Sequence, residues 1–289
     1  MYDICCIGHI TSDKVVNAQS VLYMPGGTAY YFSCALSKMR VKYLLATALA
    51  PAEMHYVTDL REKGIEVMVQ QSANTVFFEN IYAENQDQRT QNVLAMADTF
   101  NIDQFKSINA RIFHLGPLLA NDISTELIKT LAAKGRVGLD VQGYLRRVEN
   151  QKVYAADWAD KREALPYIEI VKADIAELQA LTGCDDVADG ARMLTDWGVK
   201  EVVITNGSHG SQIYSDGVFY TIPAYEPALM VDATGCGDTY IAGYLYQRIQ
   251  GAGIQQSGEF AAAMAGLKTA APGAFTGTAA DVEHFMLSA

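Results

Sequence analysis

Met230-Val231-Asp232-Ala233-Thr234-Gly235-Cys236-Gly237-Asp238-Thr239 runs directly into Tyr240-Ile241-Ala242-Gly243-Tyr244-Leu245-Tyr246-Gln247-Arg248-Ile249. In the second stretch Ile241, Leu245, Arg248 and Ile249 share one helical face, and Gly251 and Gly253 supply a stop, so a helix is expected to start close to Gly237. Small residues at 235–237 let a ligand approach the backbone, and the first-turn N–H groups with the helix dipole favour an anion there. Phosphoryl transfer needs little covalent help; it needs charge stabilisation on the moving group and a base placed at the attacking hydroxyl. Asp238 stands where both demands meet, with the Gly235, Cys236 and Gly237 amides to hold the transferred phosphate. A dinucleotide fingerprint fails because Tyr240 occupies the third glycine position, and no Gly-x-x-x-x-Gly-Lys-Ser/Thr loop occurs. An ordinary glycine turn before a core helix is the alternative this segment alone leaves open.

Outward from this turn, short apolar runs alternate with helix-like stretches. The runs are Tyr2 to Ile7, Tyr43 to Ala48, Ile112 to Leu115, Val137 to Val141, Ile168 to Lys172 and Val202 to Thr205; amphipathic helices such as Ile123 to Lys134 and Val187 to Trp197 separate them. That spacing predicts an α/β fold with a mostly parallel central sheet flanked by helices, whose ligands bind at the carboxyl ends of the strands. Lys14 to Met24 reads as a short extended pair. Thr75 to Met96 reads as a hairpin, with Glu84 to Gln88 joining strands Thr75 to Ala83 and Arg89 to Met96. These segments, approximately 14–24 and 75–96, are expected to form a small β lid on a single domain spanning 1–289; the alternative is that they are edge strands of the main sheet.

With 289 residues, half of them apolar and 19% charged, the chain can bury a large core without disulfides. Its start lacks the basic-then-apolar order of a signal peptide, and no apolar run is long enough for a membrane span. Five scattered cysteines without metal-ligand spacing favour a reducing, cytoplasmic setting. A formal charge of −11 opposes attraction to nucleic acid or an anionic membrane. The five histidines stand far apart, with no adjacent nucleophile motif, and read as structural or surface groups.

Asp232-Ala-Thr-Gly-Cys-Gly-Asp238 resembles the late signature of the ribokinase-like (PfkB) carbohydrate kinases, Asp-(Thr/Ala)-x-Gly-Ala-Gly-Asp, with Cys236 at the usual alanine. Gly8-His9-Ile10-Thr11-Ser12-Asp13 is similar to the end of that family's first strand, and Gly26-Gly27 to its glycine pair. Asp174-Ile175-Ala176-Glu177 matches its Asn-x-x-Glu with Asp174 at the asparagine; Val202 to Gly210 resembles its nucleotide-facing strand and turn, and Ala261 to Gly273 the helix and turn beside adenine. The resemblance implies a ribokinase-like fold and transfer of the ATP γ-phosphate to a hydroxyl of a small carbohydrate or polyol. By the same resemblance Asp13, Gly26 and Gly27 orient the acceptor, and Asp238 is the base. Asp174 and Glu177 organise Mg2+ through water, and Thr205, Gly207 and Gly210 flank the nucleotide. Asp232 and Thr234 help hold a monovalent cation such as K+. A homodimer through paired lids fits the same family.

The departures concern the acceptor. Tyr31 stands where the family often has a sugar-contacting asparagine, and Asp140-Val141-Gln142-Gly143-Tyr144-Leu145-Arg146 differs from the commoner Asp-x-Asn-x-Arg. With Gln86-Asp87-Gln88-Arg89 in the presumed lid, these segments look more like the branch that includes myo-inositol kinases, which makes Tyr31, Gln142 and Arg89 candidate substrate contacts. A nucleoside acceptor and, in a different class, a non-catalytic sugar or nucleotide sensor are the alternatives; the intact Asp238 and Gly235-Cys236-Gly237 argue against the second. Lys172, at a strand end near Asp174, reads equally as a phosphate contact or a solvated lysine.

Overall fold

Tyr2-Asp3-Ile4-Cys5-Cys6-Ile7 lies near the middle of a parallel sheet and is covered on both sides, with Ile4 and Cys6 in one hydrophobic core and Cys5 and Ile7 in the other. Successive strand residues point to opposite faces, so an unbroken apolar run suits a strand sandwiched between two helical layers. The computed structural model describes residues 1–16, 21–82 and 89–288.

In chain order the strands are β1 (Tyr2–Ile7), β2 (Thr11–Val16), β3 (Val21–Gly26), β4 (Tyr43–Leu49), β5 (Glu66–Gln71), β6 (Val76–Tyr82), β7 (Arg89–Ala95), β8 (Ala110–Leu115), β9 (Arg136–Asp140), β10 (Arg146–Glu149), β11 (Lys152–Ala155), β12 (Ile170–Asp174), β13 (Glu201–Thr205), β14 (Ser211–Ser215) and β15 (Val218–Ile222). The helices are α1 (Thr28–Leu36), α2 (Met54–Glu62), α3 (Thr125–Ala132), α4 (Lys161–Ala164), α5 (Ile175–Thr182), α6 (Val187–Asp196), α7 (Cys236–Ile249), α8 (Ile254–Thr269) and α9 (Ala279–Ser288). The main sheet has the order β15-β14-β13-β12-β9-β8-β1-β4-β5. It is parallel from β5 to β13, and the β14–β15 edge is antiparallel. Residues of α1, α2, α7 and α8 fill one core; those of α3, α5 and α6 fill the other.

A second sheet has the order β10-β11-β7-β6-β2-β3 and its own small core of Val76, Phe78, Val93, Leu118 and Leu119. The strands expected within 14–24 and 75–96 therefore pair with one another and not with the edge of the main sheet. β10 and β11 join them, which the sequence reading did not anticipate. The stretch Glu84 to Gln88 lies outside the described residues, as does the side chain of Arg89, with which β7 opens.

Register in the main sheet sets the site. Lys172 pairs with Asp140 across β12 and β9, and Asp174 with Thr205 across β12 and β13, so four polar side chains reach one edge from three adjacent carboxyl ends.

Candidate active site

The turn into α7 is shaped by Gly235, which caps the helix at φ +75° and offers no side-chain oxygen to the first-turn amides. Those N–H groups are thus left to a ligand or solvent. A side chain at 235 would strike the Tyr31 ring at 2.3 Å, so the glycine is required by contact as well as by backbone conformation. The Cys236 N–H faces the Ala233 carbonyl at 3.2 Å, so this one of the three expected anion-binding amides has an internal competitor. Gly237 lies against Lys172, whose Nζ would be 3.1 Å from a side chain placed there.

Asp238 follows in the first turn of α7 and keeps partial exposure to the cleft. Burial is the main cause that pushes its carboxyl up from 3.8 to about 7; Asp140 and Glu177 add to this, while Lys172 and a hydrogen bond from Thr28 oppose it. A carboxylate with that affinity for protons is matched to removing one from an alcohol as its oxygen attacks.

Lys172 is no solvated lysine. It is 6% exposed, its Nζ lies 2.9 Å from Asp140 Oδ2 and 3.9 Å from Glu177 Oε2, and these partners outweigh burial and keep it protonated. The ammonium therefore stands between the Gly237 turn and Asp140. Asp174 caps α5: its Oδ1 accepts the Glu177 N–H at 2.7 Å, and Glu177 Oε2 accepts the Asp174 N–H at 2.8 Å. The Asp-x-x-Glu spacing is thus also a helix capping box. Glu177 Oε1 takes a hydrogen bond from Gln142 Nε2 at 3.1 Å, which ties this cap to the turn that follows β9.

Two cavities meet at Cys236 and Gly237. One is a polar cleft that gathers Asp13, Gly27, Tyr31, Gln142, Thr234 and Asp238. Thr28, Phe78, Gln91, Leu118, Asp140, Arg146 and Lys172 also line it; the sequence reading gave none of these a firm site role. The other is mainly apolar and brings together Thr205, Gly207 and Gly210 with Ala224, Tyr225, Met230, Tyr240, Ala262 and Ala265. Gly26 sits behind Asp13, whose Oδ2 would be 2.4 Å from any side chain at 26, and Asp13 Oδ1 accepts the Thr11 hydroxyl at 2.7 Å. Asp174 and Glu177 line neither cavity; they border a neighbouring recess with Gln142 and Arg146. Among the described residues no three His, Cys, Asp or Glu side chains converge as a metal cage.

Asp232 lies beneath the turn with its oxygens committed. Oδ1 accepts the Thr234 N–H at 2.9 Å, Oδ2 accepts Lys268 Nζ at 3.0 Å and the Gly273 N–H at 3.1 Å, and its carbonyl accepts Lys268 Nζ at 2.6 Å. Burial raises its carboxyl, but the Thr234 and Lys268 bonds prevail and hold it below the ordinary value. A monovalent cation expected at Asp232 and Thr234 meets an ammonium already in contact with the carboxylate and carbonyl.

A mostly parallel sheet, a helix start without a side-chain cap, a raised carboxyl and two adjoining cavities suit a phosphotransferase. The sequence profile of the pfkB family carbohydrate kinases matches residues 1–280, and the chain belongs to that family. It is 28% identical over 261 residues to the cytidine kinase of Thermococcus kodakarensis, covering 85% of this chain and 88% of the relative. Among solved structures, a pyrophosphate-dependent kinase in the ribokinase family, complexed with a pyrophosphate analog and myo-inositol, superposes with a TM-score of 0.85 at 28% identity over 97% of this chain and 99% of that one. The ribokinase of Arabidopsis thaliana with ribose and ATP gives 0.80 at 20% identity, over 99% and 98% of the two chains, a likeness of fold.

Proposed function

We propose that this kinase transfers the γ-phosphoryl group of ATP to a hydroxyl of a small polyol of the inositol type. The observation that carries the reading is the meeting of the polar cleft and the apolar cavity at Cys236 and Gly237, with Asp238 on the polar side. In that cleft Asp13, Gln91, Gln142 and Arg146 offer polar groups, while Tyr31, Phe78 and Leu118 offer apolar walls. This pairing suits a ring with hydroxyls on its edge and C–H groups on its faces. The second sheet acts as the lid that excludes water from the transfer.

The acceptor O–H gives its proton to Asp238 as its oxygen bonds to the γ-phosphorus; the bond from that phosphorus to the β–γ bridging oxygen breaks, and ADP leaves. The free first-turn amides and Lys172 stabilise the charge on the moving group. Asp174 and Glu177 would hold the water shell of Mg2+, which neutralises phosphate charge when bound.

Because Asp238 must be ionised to act, kcat/KM for the acceptor is expected to fall tenfold per pH unit below about 7 and to level above it. Asp140→Asn removes the largest charge that raises Asp238, so the acid limb should move to lower pH; a limb that stays in place counts against this electrostatic account.

Pyrophosphate is the competing donor, since the kinase superposed above at 28% identity uses it. The apolar cavity favours ATP, because a pyrophosphate would leave it empty. Assays with each donor and a panel of inositols, sugars and nucleosides test both readings. Ala265→Leu, which narrows that cavity, should raise KM for ATP by roughly tenfold or more with acceptor KM unchanged. Turnover with pyrophosphate alone, indifferent to that substitution, overturns the ATP assignment.

A further inference from the structure

Lys268 is a buried cation that the proposed chemistry does not use. It lies in the last turn of α8 with its side chain fully enclosed, and its Nζ bonds both the carbonyl and the carboxylate of Asp232. We propose that this ammonium is the resident monovalent cation of the site, so that the reaction needs no K+ or other bound monovalent metal ion. The inference rests on the kinase reading for its link to catalysis.

The chain 230–235 is sewn to the end of α8. The Val231 and Asp232 N–H groups both donate to the Thr269 carbonyl, at 2.7 and 3.2 Å, and the Gly273 N–H reaches Asp232 Oδ2. Asp232 Oδ1 in turn fixes the Thr234 N–H, and Gly235 follows with the left-handed conformation that starts α7. Lys268 thereby sets Asp232, Asp232 sets Thr234, and the amides after them face the transferred phosphate. A metal ion placed on the same oxygens would have to displace two hydrogen bonds and sit beside the like charge of a fully enclosed ammonium. The Asp232 and Thr234 position therefore does not fit a second cation while Lys268 is present. Lys268 acts through the turn and touches no reacting atom, which makes it a positioning residue.

The test compares chloride salts of K+, Na+ and choline at matched ionic strength. For the unaltered protein, kcat and Tm are expected to be the same in all three, and the Tm comparison requires no substrate. Lys268→Ala in choline should lose kcat by roughly tenfold or more, with acceptor KM little changed. K+, NH4+ or methylammonium should restore kcat, together with a K+-specific rise in Tm that the parent lacks. Lys268→Met, which retains an apolar stem, replaces the alanine variant if that does not fold. Three results overturn the proposal: K+-dependent kcat or Tm in the parent, unchanged kcat in the variant, or a loss that no cation restores. If no acceptor is phosphorylated the kinase reading fails, while the Tm comparisons still decide whether Lys268 occupies the cation position.

Discussion

Asp238→Asn is expected to lower kcat by roughly 10²–10⁴-fold while donor and acceptor still bind, because the amide fills the same space but cannot take the acceptor proton. Calorimetric titration with each substrate separates this from a loss of binding. The same variant carries a second signature. A native carboxyl raised from 3.8 to about 7 holds its proton more tightly than the unfolded chain does, so the parent loses stability as pH rises through that window and is level above it. The asparagine variant escapes that loss. It should unfold at a higher temperature than the parent above pH 7, with the gap closing as pH falls toward 3.8. Lower activity with greater thermal stability is the pattern of a group placed for chemistry at the expense of the fold. A variant that keeps most of its kcat would remove Asp238 from the base role.

Lys172→Met should act in the opposite way on stability. Deleting one member of the buried Lys172–Asp140 pair leaves an uncompensated carboxylate, a change that costs about 3–5 kcal/mol. Turnover should fall by roughly 10²-fold or more through the loss of a cation beside Gly237. Adding Asp140→Leu removes the stranded charge, so the double variant should regain most of the denaturation midpoint and none of the activity. If the double variant is as unstable as the single one, the pair does not account for the loss.

The turn into α7, with Asp238 in the first helical turn, was legible in sequence because its signals are local: closely spaced glycines, a carboxylate and the start of an amphipathic helix within ten residues. The central strands were legible because burial on both faces demands unbroken apolar runs. Lys172 and Asp140 were harder to read. Their pairing depends on the register between β9 and β12, whose aligned residues Asp140 and Lys172 lie 32 residues apart, and a charged residue closing the run Ile168 to Lys172 was the one available hint. β10 and β11 went unread for another reason. They are short, largely exposed and polar, and their turn puts Asn150 and Gln151 at positive φ, where an Asn-Gly pair would have marked a hairpin. The antiparallel edge did carry such a mark, Asp216-Gly217, with both residues at positive φ. Lys268 was invisible because its partner lies 36 residues away and meets it only when α8 packs under the turn.

The cleft draws its residues from two sheets with separate cores. Asp13 and Gln91 ride on the second sheet, and Arg146 opens one of its strands; Lys172, Asp140 and Asp238 belong to the main sheet and the helix packed on it. In the proposed reaction the first group selects the alcohol and the second performs the transfer. Substitutions can therefore accumulate in one sheet and redirect the enzyme to a new alcohol while the inherited chemistry stays intact in the other, which gives lineages of such kinases a route to diversify without passing through inactive intermediates.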